Sequence, residues 1–315
     1  MPTANYSAAI DTSDFEVSYA KELTWGVAST SVAYKALRLT GESLSENKQR
    51  SRPQEINPSG VVSHAITTQV GVEGSLNFAL SADTFDDFIA GALNSVFSGT
   101  PGSVSNGVVI NTLTIQKRLG PAAGNLWLQY TGCYVTQFQI NASVGAFVEG
   151  SFTVMAKSEV NGVTQLGTSV TAAPTGRVMD TVAGVATIKL NDVAFTTPLQ
   201  SIQLTVQKQG ARAQYAIGSS AAQGMGRGTI DLSGTVSMYF KDFTMYDKYK
   251  SETDVKLEFS LVDNTGDGYK FTIPAASLMN PTIVAGGPDT DVMAEFQLEG
   301  NPVAGVILTI DVLEV

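Results

Sequence analysis

The residues of this chain that could carry chemistry are few: one histidine, one cysteine and scattered carboxylates. A Ser/His/Asp site would need His64 as its base, yet His64 falls in a stretch without regular period. No G-x-S-x-G turn exists to present a nucleophile, so His64 reads as a surface loop residue. Cys133, in YTGCYV at the start of an expected strand, reads as a small buried hydrophobe. One cysteine and one histidine leave neither an intramolecular disulfide framework nor a Cys/His zinc set, and they suggest folding in a reducing compartment. Asp263, Thr265, Asp267 and Gly268 imitate the opening of a calcium loop. Thr occupies the third position, however, and Pro274 stands where the bidentate Glu should be, so a turn joining two strands is predicted. Gly224, Gly226 and Gly228 resemble part of a phosphate loop but precede a strand, and no Walker lysine follows. Asp86 and Asp87 are acids at a helix start, where the backbone dipole favours them. No catalytic, cofactor-binding or metal-binding set is expected, and the chain reads as a non-enzyme.

The elements that position these residues are mostly strands. In TTQVGVEGSLNFALSADTFDDFIAGAL, Val72, Leu76, Phe78 and Leu80 share a face with Gly74, while Glu73, Ser75 and Asn77 take the other, the period of a half-buried strand. A helix is predicted next, with Asp83 as N-cap and Phe85, Phe88, Ile89, Ala92 and Val96 at helical spacing. The unit returns in GTIDLSGTVSMYFKDFTMYDKYK, where Leu232, Val236, Met238 and Phe240 share a face with Gly234 and Thr244 is the expected cap. A third strand, VEGSFTVMA, repeats Val72 to Ser75. An internal duplication follows, with a period near half the chain, and it predicts domains over 1–160 and 161–315, the second opening with a linker at Ser158 to Gly184.

In chain order, residues 1–34 read as an extended arm and Leu119 to Asn125 as a turn. Ser45 to Thr67 reads as a long loop or protruding hairpin carrying Lys48, Arg50 and Arg52. Lys208 to Arg227, with Lys208, Arg212 and Arg227, is its counterpart. Lys35 to Leu44, with Leu37 and Leu39 on one face, reads as a strand, and Ser201 to Gln207 is matched to it. Val292 to Leu298 and Val306 to Val312 are matched to Tyr134 to Asn141 and Val148 to Ala156.

Composition agrees with a β-dominated globular chain: 315 residues, 43% hydrophobic, 15% charged and 30 glycines. The formal charge of −10 argues against a protein that grips phosphates. The N-terminus lacks a basic and apolar leader and no run of apolar residues is long enough to span a bilayer, so neither secretion by the general route nor membrane insertion is expected.

KALRLTGESLSENKQ, the two strand–helix units and the closing PTIVAGGPDTDVMAEFQLEG resemble, in their order, the tail tube proteins (major tail proteins) of long-tailed bacteriophages. The resemblance runs from about Asp14 to the C-terminus. It implies a mainly β fold, a β-sandwich or rolled antiparallel sheet with one short flanking helix in each of two tandem similar tube domains. It further implies that these domains contribute to a closed β-barrel ring on assembly. Family rings present six tube domains and stack into a hollow tube that carries DNA from capsid to host cell, with no catalytic residues and no cofactor. Implied partners are copies of the chain itself, as trimeric rings stacked helically, the tape measure protein, the tail terminator and distal tail proteins, and DNA in transit. The implied location is the virion, after assembly in the host cytoplasm. Open sheets expose edges that a ring can consume. In such a ring the acids opposite the core-facing set, Glu73, Glu149, Asp231 and Glu295, become lumen candidates. The basic residues Lys48, Arg50, Arg52, Lys208, Arg212 and Arg227 become inter-ring candidates. Rival readings are the tube of a contractile tail or injection machine, a carbohydrate-binding or adhesive β-sandwich, and a β-helical lyase, the last opposed by the absence of short stacked coils.

Overall fold

The computed structural model describes residues 10, 12–120, 126–182 and 184–314, so the first residues of the expected arm and most of the expected turn at Leu119 to Asn125 lie outside the described residues. In chain order the first half holds β1 (Glu16–Lys21), β2 (Tyr34–Ala36), β3 (Gly41–Glu42), β4 (Ser45–Ser51), β5 (Ile66–Ala79), α1 (Asp86–Ala92), β6 (Ser103–Ser105), β7 (Leu113–Leu119), β8 (Leu126–Ser143), β9 (Glu149–Ala156), β10 (Ser158–Gly162) and β11 (Val170–Thr171). The second half holds β12 (Val185–Leu190), β13 (Val193–Ala194), β14 (Leu199–Gln209), β15 (Arg212–Gln214), β16 (Gly224–Gly226), β17 (Thr229–Tyr239), α2 (Thr244–Lys250), β18 (Val255–Val262), β19 (Gly268–Ala285), β20 (Val292–Gly300) and β21 (Thr309–Leu313). The fold is mainly β, a sandwich whose sheets do not close into a barrel within one chain.

Each half builds the same pairing pattern. In the first, β4 pairs with β5, β5 with β9 and β9 with β8, after which β8 pairs with β7 and β10, and β7 with β1. In the second, β14 pairs with β17, β17 with β20 and β20 with β19, after which β19 pairs with β18 and β21, and β18 with β12. The strands β8 and β19, 18 residues each, run through both layers of their half. Alternation along β5 puts Val72, Leu76 and Phe78 in the core, as expected. Phe152 packs at the centre of that core, with ring centroids 4.8 Å from Phe78, 5.1 Å from Phe138 and 5.3 Å from Phe88. Aromatic pairs of this kind add about 0.5–1.5 kcal/mol each beyond the area they bury.

The equivalence of Gly74 and Gly234 has a steric cause. A Cβ on Gly74 would stand 2.5 Å from the backbone of Leu44, and one on Gly234 2.6 Å from the carbonyl of Gln203. In both halves the neighbouring strand crosses too closely for any side chain.

Several expectations need correction. Residues 16–21 are not part of an arm: β1 lies between β2 and β7, with Val17, Ser18, Tyr19 and Ala20 buried. Of the two readings of Ser45 to Thr67 the hairpin is the one formed: SENKQRS is its strand β4, ordered by pairing with β5 rather than by its own periodicity. Asp83 does not cap α1. It has a positive φ of 59°, the Ser81 and Thr84 hydroxyls bond each other at 2.9 Å, and the helix is confined to Asp86–Ala92. Thr244 is the first residue of α2 rather than its cap, and Asp242 accepts its backbone N–H at 2.9 Å. The strand matching between the halves also shifts by one. By pairing, β20 and β21 correspond to β9 and β10, and it is β19 that corresponds to β8, while β14 corresponds to β3 and β4. Alternation alone predicts a strand over Tyr269 to Ile273, but β19 continues past Pro274 to Ala285 and absorbs Asn280 and Pro281 in a bulge between Met279 and Thr282. Within the segment read as a linker, β10 and β11 are paired to β8 and β2.

Candidate assembly interface

β14 does more than close the second half. Its other edge pairs antiparallel with β8, from Ser201 opposite Ser143 to Gln207 opposite Gln137. The result is one uninterrupted run of strands through both halves, in the order β4, β5, β9, β8, β14, β17, β20, β19. Residues that face each other across a ladder share a sheet face. One face therefore carries Asn77, Ser151, Gln139, Thr205, Ser233 and Glu299 in a single row, and Glu149, Asn141, Gln203, Thr235 and Gln297 in the next. The register sets Glu73, Glu149, Asp231 and Glu295 on this polar face together, while Phe138, Ile140, Leu204, Val206, Leu232 and Val236 lie on the core face opposite.

The join between the halves is reinforced around α1, which packs on β8 and β14 and buries Phe88, Ile89, Ala90, Gly91 and Ala92. Tyr269 of β19 donates to Asp86 at 2.5 Å, and Tyr134 of β8 donates to Asn94 at 2.8 Å and to the Arg227 carbonyl at 2.9 Å. Strand β6, in the connection after α1, pairs with β21. Burial and the nearby Asp83 and Asp87 raise the Asp86 carboxyl above its usual range, against the Tyr269 hydroxyl that lowers it. Burial works on Asp87 in the same direction, but Lys21 at 2.6 Å, Lys35 at 3.2 Å and the Tyr19 hydroxyl at 3.0 Å outweigh it and hold that carboxyl low. The acids flagged as helix-start residues are thus structural: one ties α1 to the second half, the other to β1 and β2.

The six basic residues expected to bridge rings separate into two groups. Lys208 lies on β14, not in a loop, and is 3% exposed. Its Nζ donates to the Gly91 carbonyl at 2.6 Å, in the last turn of α1, and sits 3.8 Å from the centre of the Tyr134 ring. Burial pushes its ammonium down to about 6, while the negative end of the helix and the ring face favour the charged form. Arg227 donates to the Val108 carbonyl at 3.3 Å. Lys208 serves a contact inside the chain because β14 extends to Gln209, beyond its apolar alternation, while Arg227 is exposed between β16 and β17. Lys48, Arg50, Arg52 and Arg212 are exposed on the hairpins; Lys48 pairs with Glu46 at 2.9 Å and Arg50 donates to the Ala65 carbonyl at 2.9 Å. The β15–β16 hairpin segment also leans on the first half, where Val70 donates to the Ser220 carbonyl at 2.8 Å and accepts from the Tyr215 hydroxyl at 3.2 Å.

The remaining residues with chemical potential are placed simply. His64 is exposed in the connection between β4 and β5, and Cys133 is buried in β8. Asp263 closes the β18–β19 turn, its Oδ1 accepting from the N–H groups of Thr265, Gly266 and Asp267 and from the Thr265 hydroxyl. Burial pushes its carboxyl up, but these four donors outweigh that and hold it low. No helix among the described residues is long and apolar enough to cross a membrane.

A family model described as phage tail tube protein matches residues 12–300. No individual curated protein matches the chain.

Proposed function

Because the chain belongs to the phage tail tube protein family, a family of structural proteins, we propose that it polymerises as stacked rings into a hollow tube through which phage DNA passes. The single observation that supports this most is the β8–β14 ladder. Two sheets of the same pattern already join side by side within one chain, leaving β4 at one end of the run and the Thr282–Ala285 part of β19 at the other without a further strand among those described. Edges with open backbone groups invite a further strand. A ring arises when the last edge of one copy meets the first edge of the next and the rotation closes. Each chain contributes two tube domains, so three chains complete a ring of threefold symmetry with a pseudo-sixfold outline.

In this reading the polar sheet face carrying Glu73, Glu149, Asp231 and Glu295 lines the lumen. Its carboxylates repel DNA phosphates and keep the passing duplex from adhering. The hairpin tips bridge adjacent rings. Each tip presents a fully exposed isoleucine, Ile56 in one and Ile217 in the other, alongside Arg50, Arg52 and Arg212, a combination that suits burial against an acidic neighbour. The lumen first holds a tape measure protein, and the tube ends meet terminator and distal tail proteins, as the family membership implies. Assembly takes place in the host cytoplasm and the product is a virion component.

Electron microscopy with rotational averaging tests the proposal. The expected image is a tube whose rings have threefold power and six similar lobes. True sixfold symmetry with outer knobs would place one half outside the tube, and a persistent monomer would remove the tube reading altogether.

A further inference from the structure

The internal junction serves as a template for the junction between chains. Lys48 faces Val70 as Lys208 faces Ile230, and Gly41 faces Asn77 as Ser201 faces Ser237, each matched pair being 160 residues apart. β3 and β4 thus occupy in the first half the place of β14, and Lys48 occupies the place of Lys208. On the other side, Ile283 faces Ala294 as Ile140 faces Gly150, so Thr282–Ala285 of β19 occupies the place of the part of β8 that β14 covers. No strand among those described pairs with this outer edge of β19, and Ile283 is 38% exposed where Ile140 is 2%.

The surroundings of α2 fit the same pattern. α1 buries five residues between β8 and β14 and their surroundings, whereas α2 buries only Met245. Lys208 enters the first half between Gly91 of α1 and Tyr134 of β8. The matching place in the second half is an open cleft of about 680 Å³, bordered by Tyr246 and Tyr249 of α2, by Glu252, and by Ser277, Leu278 and Met279 of β19. Lys248 and Lys250 also reach it.

We propose that Lys48 of one copy inserts into the α2–β19 cleft of a second copy, with β3 and β4 of the first laid antiparallel along β19 of the second so that Ser45 faces Thr282 and Leu44 faces Ile283. This rests on the ring reading above and adds its register and its anchor. Glu252 supplies a countercharge that the Lys208 site lacks, and the Tyr249 ring supplies a π face where the first half has Tyr134, the Tyr246 ring already being faced by Lys250 at 5.1 Å. The insertion exchanges the solvent-exposed pairing of Lys48 with Glu46 for a site shielded from water.

The incoming edge is closed in the lone chain. The outward N–H of Leu44 is held by Glu42 at 3.0 Å, and its carbonyl accepts from Lys117 at 2.5 Å and from the Tyr130 hydroxyl at 3.2 Å. At the internal junction the residue matching Glu42 is Ile202, which has no such group, and β14 pairs freely. Pairing between copies requires Glu42, Lys117 and the Tyr130 hydroxyl to release Leu44, which restrains edge-to-edge joining until the register is right.

Cysteine pairing in assembled protein tests the proposal. The positions matching Ser45 and Thr282 are Thr205 and Gln139, which face each other directly, a geometry within reach of a disulfide. In wild-type tubes as the reference, Ser45→Cys with Thr282→Cys should cross-link chain to chain on oxidation, and Asn47→Cys with Thr282→Cys should not. Lys48→Ala should leave the urea unfolding of the unassembled chain unchanged, since Lys48 is exposed. It should raise the concentration needed for tube formation roughly tenfold, and Glu252→Gln should act in the same direction. Wild-type chain that never polymerises overturns the ring reading itself. Wild-type tubes in which only the shifted pair cross-links overturn the register, and Lys48→Ala tubes at wild-type concentration overturn the insertion.

Discussion

Lys208 stands where an ammonium is costly, and its partners explain why it is retained. The Gly91 carbonyl and the Tyr134 ring bind its charged form, and all three groups meet where the two halves join. In the unfolded chain a lysine titrates near 10.4, while burial lowers Lys208 to about 6. Between those values the unfolded chain binds more protons than the folded one, so the penalty is fully present below about 6 and is relieved as pH rises. Lys208→Met should therefore stabilise the chain more at pH 6 than at pH 9, read as the difference in urea midpoint from wild type at each pH. Equal shifts at both would show that burial does not perturb this lysine. Gly74 gives a second residue-scale expectation. Gly74→Ala pushes a methyl into the Leu44 backbone and should destabilise by about 1–3 kcal/mol, with Gly234→Ala comparable, both measured by equilibrium denaturation of unassembled protein.

Among the elements, the two helices differ most in what covers them, although they follow the same strand in each half. α1 is packed by β14 and tied by Tyr269, while the α2 region keeps Phe243 58% exposed in an aromatic run Phe240, Phe243, Tyr246 and Tyr249 whose successive ring centroids lie 5.4, 5.9 and 5.9 Å apart. The hairpins differ in a similar way. The β15–β16 segment rests on Val70 of the first half, whereas the connection from Arg52 to Ala65 carries Ile56, Val61 and Val62 exposed. Replacing Pro53–Ser63 by a two-residue turn should leave a folded chain that still forms rings but not long tubes, seen by sedimentation and negative-stain imaging. Long tubes from that variant would remove the connection from ring stacking.

Across the whole molecule, the net charge of −10 is unevenly placed. The polar face of the eight-strand run carries Glu73, Glu149, Asp231, Glu295 and Glu299, and the one cation read from its ladders is Arg50, opposite Thr67 at the far end of β4. Assembled tubes should therefore show no retention of duplex DNA at physiological salt in a filter-binding or co-sedimentation assay. Glu73→Lys combined with Asp231→Lys should introduce a retention that falls steeply as salt increases. Retention by wild-type tubes would mean that this face is not the one DNA meets.

The sequence by itself determined the β-rich class, the core faces of β5 and β17, the paired glycines and the duplication, because each follows from local alternation or from direct repetition of residues. One histidine and one cysteine leave few combinations for chemistry based on those two residue types. The tertiary structure alone decided what the edges do. SENKQRS has no apolar face, so β4 becomes a strand only through its ladder with β5. Pro274 and Pro281 interrupt the local pattern of β19, and only its pairing with β18 and β20 carries the strand past them. Lys208 could not be recognised as buried, nor Lys48 as its exposed counterpart, because a lysine at the end of a polar-looking stretch reads as loop. Its burial depends on α1 and Tyr134, more than seventy residues away in the chain. Long-range strand pairing and helix docking are set by the fit of whole surfaces, and no local pattern of residues encodes which edge a neighbour will cover.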